Sequence, residues 1–65
     1  MIPYDGMNLR DARRLWPLVG GDVRDKQGTG EEVYRHPTLH RSITVNKRRK
    51  SAPRELTKAL RRLWP

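Results

Sequence analysis

Cysteine and phenylalanine are both absent from this chain of 65 residues. Without cysteine the chain can form no disulfide, no thiolate nucleophile and no cysteine-based zinc site. Its two histidines cannot alone complete an ordinary structural zinc site. No apolar run approaches the ~20 residues that a membrane-spanning helix needs. These absences favour a cytoplasmic protein that uses neither a structural metal nor a membrane.

Apolar residues are also few, at 34% of the chain. So short a chain forms one domain, residues 1–65, and its core is thin. The amino terminus lacks the basic start and the apolar stretch of a signal peptide. Residues 1–7 instead read as an irregular lead-in, with Tyr4 closing over the core. A thin core also favours a stabilising partner or a homo-oligomer, which a concentration-dependent melt would reveal.

Acidic residues are scarce in one part of the chain. Residues 1–40 hold six basic and six acidic side chains, whereas residues 41–65 hold nine basic side chains and a single acid, Glu55. The net charge of +8 therefore lies entirely in the final 25 residues. A block of four cations, Lys47–Lys50, leads there into a helical pattern. Cations beside the positive end of a helix favour phosphate binding, so nucleic acid is the expected partner.

The first helix is predicted from about Leu9 to Trp16. Asn8 is a typical N-cap, and apolar residues follow it at helical spacing. Pro17 removes a backbone donor, so we expect a kinked or irregular last turn. The pair Gly20-Gly21 ends the helix.

Three short strands follow, at residues 22–26, 31–36 and 41–46. Glycines at positions 28 and 30 favour a turn between the first two strands. In the third strand Ile43 and Val45 share one face. In the second strand Val33 and Arg35 share one face and residues 32, 34 and 36 share the other, which we expect to be the polar face.

The last helix has the clearest pattern. Ser51 is a good N-cap, and Pro53 is tolerated in the first turn. Leu56, Ala59, Leu60 and Leu63 then form an uninterrupted apolar stripe at spacing i, i+3, i+4 and i+7. The order is therefore α-β-β-β-α, an α+β fold in which two helices cover one face of a three-stranded antiparallel sheet.

Cations occupy the side of this helix opposite the apolar stripe. They are Arg54, Lys58, Arg61 and Arg62, at spacing i, i+4, i+7 and i+8. With Lys47, Arg48, Arg49 and Lys50 they predict eight cations on one continuous surface that binds a polyanion. Tyr34, on the polar face of its strand, is a candidate to stack on an unpaired base. The alternative interpretation is a solvated helix face that keeps a small protein in solution.

The element order and the basic start of the last helix resemble the double-stranded-RNA-binding domain. Residues 28–63 resemble more closely the HicA family of bacterial toxins, which have a fold of that type. Gly28-Thr29-Gly30 resembles the family's glycine turn, and Tyr34-Arg35-His36-Pro37 its aromatic-x-His-Pro strand ending. Ile43-Thr44-Val45 resembles its third strand, and Pro53 with the apolar stripe after it resembles its closing helix.

This resemblance implies an mRNA interferase that an acidic HicB-type antitoxin neutralises. The chain departs from the family at the catalytic histidine, which should follow the glycine turn, where this sequence has Glu31 and Glu32. Cleavage is therefore in doubt, and a metal-independent ribonuclease would need another base, for which Glu31 and His36 are the candidates. The alternatives are that Glu31 and Glu32 pair with cations across the sheet and that His36 closes its strand with a hydrogen bond. No motif for a metal or a cofactor is present.

Three hypotheses follow. The first is a HicA-like protein that binds mRNA, with or without cleavage. The second is a non-catalytic module for duplex RNA, and the third is a basic interaction domain that docks an acidic partner such as an antitoxin. DNA is a weaker choice because the sequence shows no helix-turn-helix spacing.

Overall fold

Two helices and a three-stranded antiparallel sheet make up the fold, in the predicted order α-β-β-β-α. The computed structural model describes residues 6–65. The predictions for residues 1–5, including the place of Tyr4, lie outside that range. The elements are α1 (Leu9–Leu15), a 3₁₀ helix (Trp16–Val19), β1 (Asp22–Lys26), β2 (Glu31–Arg35), β3 (Ile43–Asn46) and α2 (Arg54–Leu63).

The end of α1 is irregular, as predicted. Asn8 caps the helix, since its side-chain oxygen accepts the backbone N–H of Arg10 at 3.0 Å. Pro17 cannot donate a helical hydrogen bond, and the chain tightens into the 3₁₀ helix one residue before it. Gly20 ends this turn in the left-handed conformation, at φ 89°.

The core lies between the helices and one face of the sheet, whose strand order is β1-β2-β3. Trp16 is its centre: the ring is fully buried, and Nε1 donates to the carbonyls of Asp22 at 3.2 Å and Arg35 at 3.0 Å. These two bonds tie the 3₁₀ helix to β1 and β2. The other core residues are Met7, Leu9, Ala12, Tyr34, Ile43, Val45, Ala52, Leu56, Ala59 and Leu60.

The start of α2 differs from the prediction. Ser51 does not cap it, because α2 begins at Arg54 after an N-cap at Pro53 that makes no side-chain hydrogen bond. Ser51 instead forms an antiparallel bridge with Asn8. The backbone N–H of Leu9 donates to Lys50 O at 2.9 Å, close to this bridge. The end of the cation block therefore lies beside the start of α1 in space, and residues 51–53 separate it from α2.

Tyr34 also differs from the prediction. The alternation along β2 is as expected, but the buried face is the one that carries Tyr34, and the ring is fully buried. The register explains this, since Tyr34 pairs with Val23 on one side and with Ile43 on the other. Its ring meets Trp16 edge-on, with 5.7 Å between the centroids. Tyr34 therefore cannot stack on a base and belongs to the core.

Burial raises the pKa of Tyr34 to about 12, and the nearby carboxylate of Glu32 adds to this effect. The carboxylate acts mainly through its charge, because the hydroxyl has no hydrogen-bond partner of good geometry among the described residues. Arg13 acts in the opposite direction and lowers the pKa. The folded protein thus holds the Tyr34 proton to higher pH than the unfolded chain does.

We expect Tyr34→Phe to leave the free energy of unfolding unchanged or slightly higher at neutral pH, because it removes a buried hydroxyl that lacks a partner. In the wild type, the titration of this group does not affect stability below pH 10. The free energy of unfolding then falls as the pH rises toward 12, by about 1 kcal/mol at pH 11, because the unfolded chain loses the proton more readily than the folded protein. Urea unfolding of both proteins at pH 8 and pH 11 measures the difference. Equal losses in the two proteins would contradict the burial of this group.

Candidate nucleic-acid interface

Two of the grooves on the described surface are each lined by five cations. The α2 groove runs between α2 and the loop before β3 and encloses about 960 Å³. The α1 groove lies where the cation block meets the start of α1 and encloses about 370 Å³. The two grooves share no lining residue.

The α2 groove is positive because of the helical spacing in α2. Leu56 and Leu60 anchor one side of the helix in the core, which turns the cations of the other side toward solvent. The groove is lined by five cations against one carboxylate, Glu55. The cations are Arg41, Arg54, Lys58, Arg61 and Arg62.

The α1 groove has the same balance, with five cations and the carboxylate of Glu32. The cations are Arg10, Arg13, Lys47, Arg49 and Lys50. Several of them are held in place. Lys47 Nζ pairs with Asp25 at 3.0 Å, and Arg49 Nε donates to Ser51 O at 3.0 Å. The groove is therefore preorganised, and part of its charge is already compensated.

The eight cations predicted to form one surface are thus divided between two grooves. Lys47, Arg49 and Lys50 line the α1 groove, whereas Arg54, Lys58, Arg61 and Arg62 line the α2 groove. Arg48 is exposed and lines neither groove. The division arises because the chain between the two sets pairs with residues 7–9 before α2 begins.

Three cations of the grooves were missed by the sequence analysis: Arg10, Arg13 and Arg41. Arg10 and Arg13 lie opposite the apolar stripe of α1, a signal that the sequence did contain. It was hidden because the charges of residues 1–40 cancel in total. Arg41 lies in the loop before β3, where no helical or strand periodicity indicates toward which groove its side chain lies.

His36 has a structural role, in line with one of the two interpretations of the sequence. Its Nδ1 accepts the backbone N–H of Thr38 at 3.1 Å, so the proton is assigned to Nε2. Nε2 then donates to Val19 O at 2.7 Å. Both ring nitrogens are occupied, and neither is available to take a proton from a ribose hydroxyl.

Glu31 lines neither groove and is half-buried at the start of β2, opposite Lys26 and Asn46. Glu32 lies in the α1 groove, but its side chain is only 3% exposed. The expectation that it pairs across the sheet is wrong, because its partner is Arg13 of α1, at 3.0 Å. A buried carboxylate that is paired in this way is held as a structural ion.

Within residues 6–65 no three histidine, cysteine or acidic side chains cluster as metal ligands would. Neither helix has the length and apolar character needed to cross a bilayer.

No protein-family model matches the chain, and no curated protein or solved structure matches it either. The resemblances to the HicA toxins and to the double-stranded-RNA-binding domain therefore remain predictions.

Proposed function

We propose that this protein binds RNA by its sugar-phosphate backbone, using the cations of the α1 and α2 grooves. The observation that carries the proposal is the charge balance, since each groove has five cations and one carboxylate. Phosphates are attracted to such a surface and release bound counterions when they bind. A solvated helix face normally carries both signs of charge in similar number, whereas cations outnumber carboxylates five to one among the residues that line each groove.

RNA is favoured over DNA by the architecture. A DNA reader usually inserts one helix into the major groove, with its base-reading side free. Here both helices pack on the sheet, and their exposed cations border grooves instead of forming a projecting ridge. Recognition of RNA depends more on shape, phosphates and unpaired bases. The resemblance of residues 28–63 to the HicA toxins supports the same choice.

The proposal is for binding without cleavage. His36 has both nitrogens engaged, Glu31 lies outside the grooves, and Glu32 is paired with Arg13. Neither of the two bases predicted from the sequence, Glu31 and His36, therefore lies in a groove with an atom free to act as the general base that metal-independent cleavage needs. The imidazole that borders the α2 groove is that of His40, which is exposed. We propose that the nucleic-acid interface consists of the cations of the two grooves, and that the buried Tyr34 is not part of it.

Fluorescence anisotropy with labelled single-stranded and duplex RNA tests binding, and gel electrophoresis of the same samples tests cleavage. We expect a complex that weakens as salt is added, with the RNA intact after incubation. RNA that is cut by wild type but not by Glu31→Ala or His36→Ala would show that a nuclease site was overlooked. Absence of any complex at low salt would refute the proposal.

A further inference from the structure

The α2 groove has a feature that phosphate binding does not use. Its floor is apolar and is formed by Leu39, Ile43 and Ala59, while its rim carries the cations. The α1 groove has only one apolar lining residue, Leu9. An apolar floor gains nothing from a phosphate, but it is favourable for a flat, weakly polar group that leaves water.

We infer that the α2 groove holds an unpaired base of an RNA strand, while the cations of its rim hold the phosphates on either side. This inference rests on the proposed function and adds the substrate class, namely RNA with unpaired bases. The α1 groove, by contrast, binds backbone alone.

Two planar side chains border the groove on the side of the loop. His40 and Arg41 are both exposed and lie across the groove from Arg54 and Lys58. Imidazole rings and guanidinium planes are surfaces on which bases stack in single-stranded RNA complexes. The groove, at about 960 Å³, is large enough for a nucleotide. A base within a duplex is stacked and paired, and it cannot enter.

The test uses three fluorescent RNA probes of equal length: a single strand, the same strand with its central bases replaced by abasic sites, and the matching duplex. The single strand and its abasic form carry the same phosphates, so they differ only in the bases offered to the groove. We expect the single strand to bind about tenfold more tightly than the abasic strand, because stacking one base contributes about that factor.

Arg41→Lys keeps the charge but removes the planar guanidinium. We expect it to weaken binding of the base-containing strand about threefold more than binding of the abasic strand, so that the preference for bases falls by that factor. The matched control is Arg14→Lys, at an exposed position of α1 that lines neither groove, and it should change neither quantity.

Equal affinity of wild type for the single strand and the abasic strand would overturn the inference and leave backbone binding intact. A preference for the duplex would overturn it as well. No binding to any of the three probes would refute the proposed function itself. Tight binding of an acidic amphipathic peptide, together with no preference of the protein for bases, would assign the groove to a protein partner instead.

Discussion

Replacing Gly21 with alanine is expected to remove about 3 kcal/mol from the free energy of unfolding, which is most of the stability of so small a domain. A methyl group at this position would overlap Nε1, Cδ1 and Cε2 of Trp16. The indole cannot move away, because it is fully buried and bonded to the carbonyls of Asp22 and Arg35. Urea unfolding followed by circular dichroism measures the loss.

Two controls separate this overlap from a general cost of replacing glycine. Gly28→Ala adds a methyl group that meets nothing within 4 Å, so it reports only the strain of a positive φ, about 1–2 kcal/mol. Trp16→Phe provides a smaller ring, and its combination with Gly21→Ala should be less damaging than the sum of the two single changes, by at least about 1 kcal/mol. Strict additivity would contradict the described contact.

Removing three charges from the α2 groove is expected to weaken RNA binding about a hundredfold or more. For single-stranded RNA at ~0.1 M salt, each lost phosphate contact reduces affinity about fivefold. The suitable variant is Arg54→Gln, Lys58→Gln and Arg62→Gln, since all three side chains are exposed and glutamine is tolerated in a helix. Anisotropy with one labelled RNA at fixed salt measures the change.

The matched control removes three charges that line neither the α1 groove nor the α2 groove. It combines Arg14→Gln, Arg24→Gln and Lys26→Gln, all at exposed positions. Screening by salt limits the effect of distant charges, so a loss of only about threefold is expected. Equal losses in the two triple variants would show that net charge, and not the α2 groove, determines binding.

The sequence predicted the elements whose periodicity is strong. The apolar stripe of α2 and the alternation of Ile43 and Val45 in β3 depend only on local spacing, and both were confirmed. Pro17 predicted the irregular end of α1 for a reason within the backbone itself. These features need no knowledge of distant contacts.

The predictions that proved wrong depend on contacts between residues distant in the sequence. Which face of β2 is buried depends on the pairing with β1 and β3, so neither the burial of Tyr34 nor the contact of Glu32 with Arg13 follows from local pattern. Ser51 has a side chain suited to an N-cap, but its backbone forms a bridge with Asn8, and α2 begins only at Arg54. The same bridge divides the cations into two grooves, which charge counting along the chain cannot show.

The salt dependence of RNA affinity tests most directly whether the two grooves bind phosphates. For single-stranded RNA the logarithm of the binding constant falls by about 0.7 per logarithm of salt for each phosphate contacted. With at least six groove cations engaged, we expect a slope steeper than about −4, and about 2 units shallower in the triple variant of the α2 groove. A slope near zero, or the same slope in wild type and variant, would contradict backbone binding by these grooves.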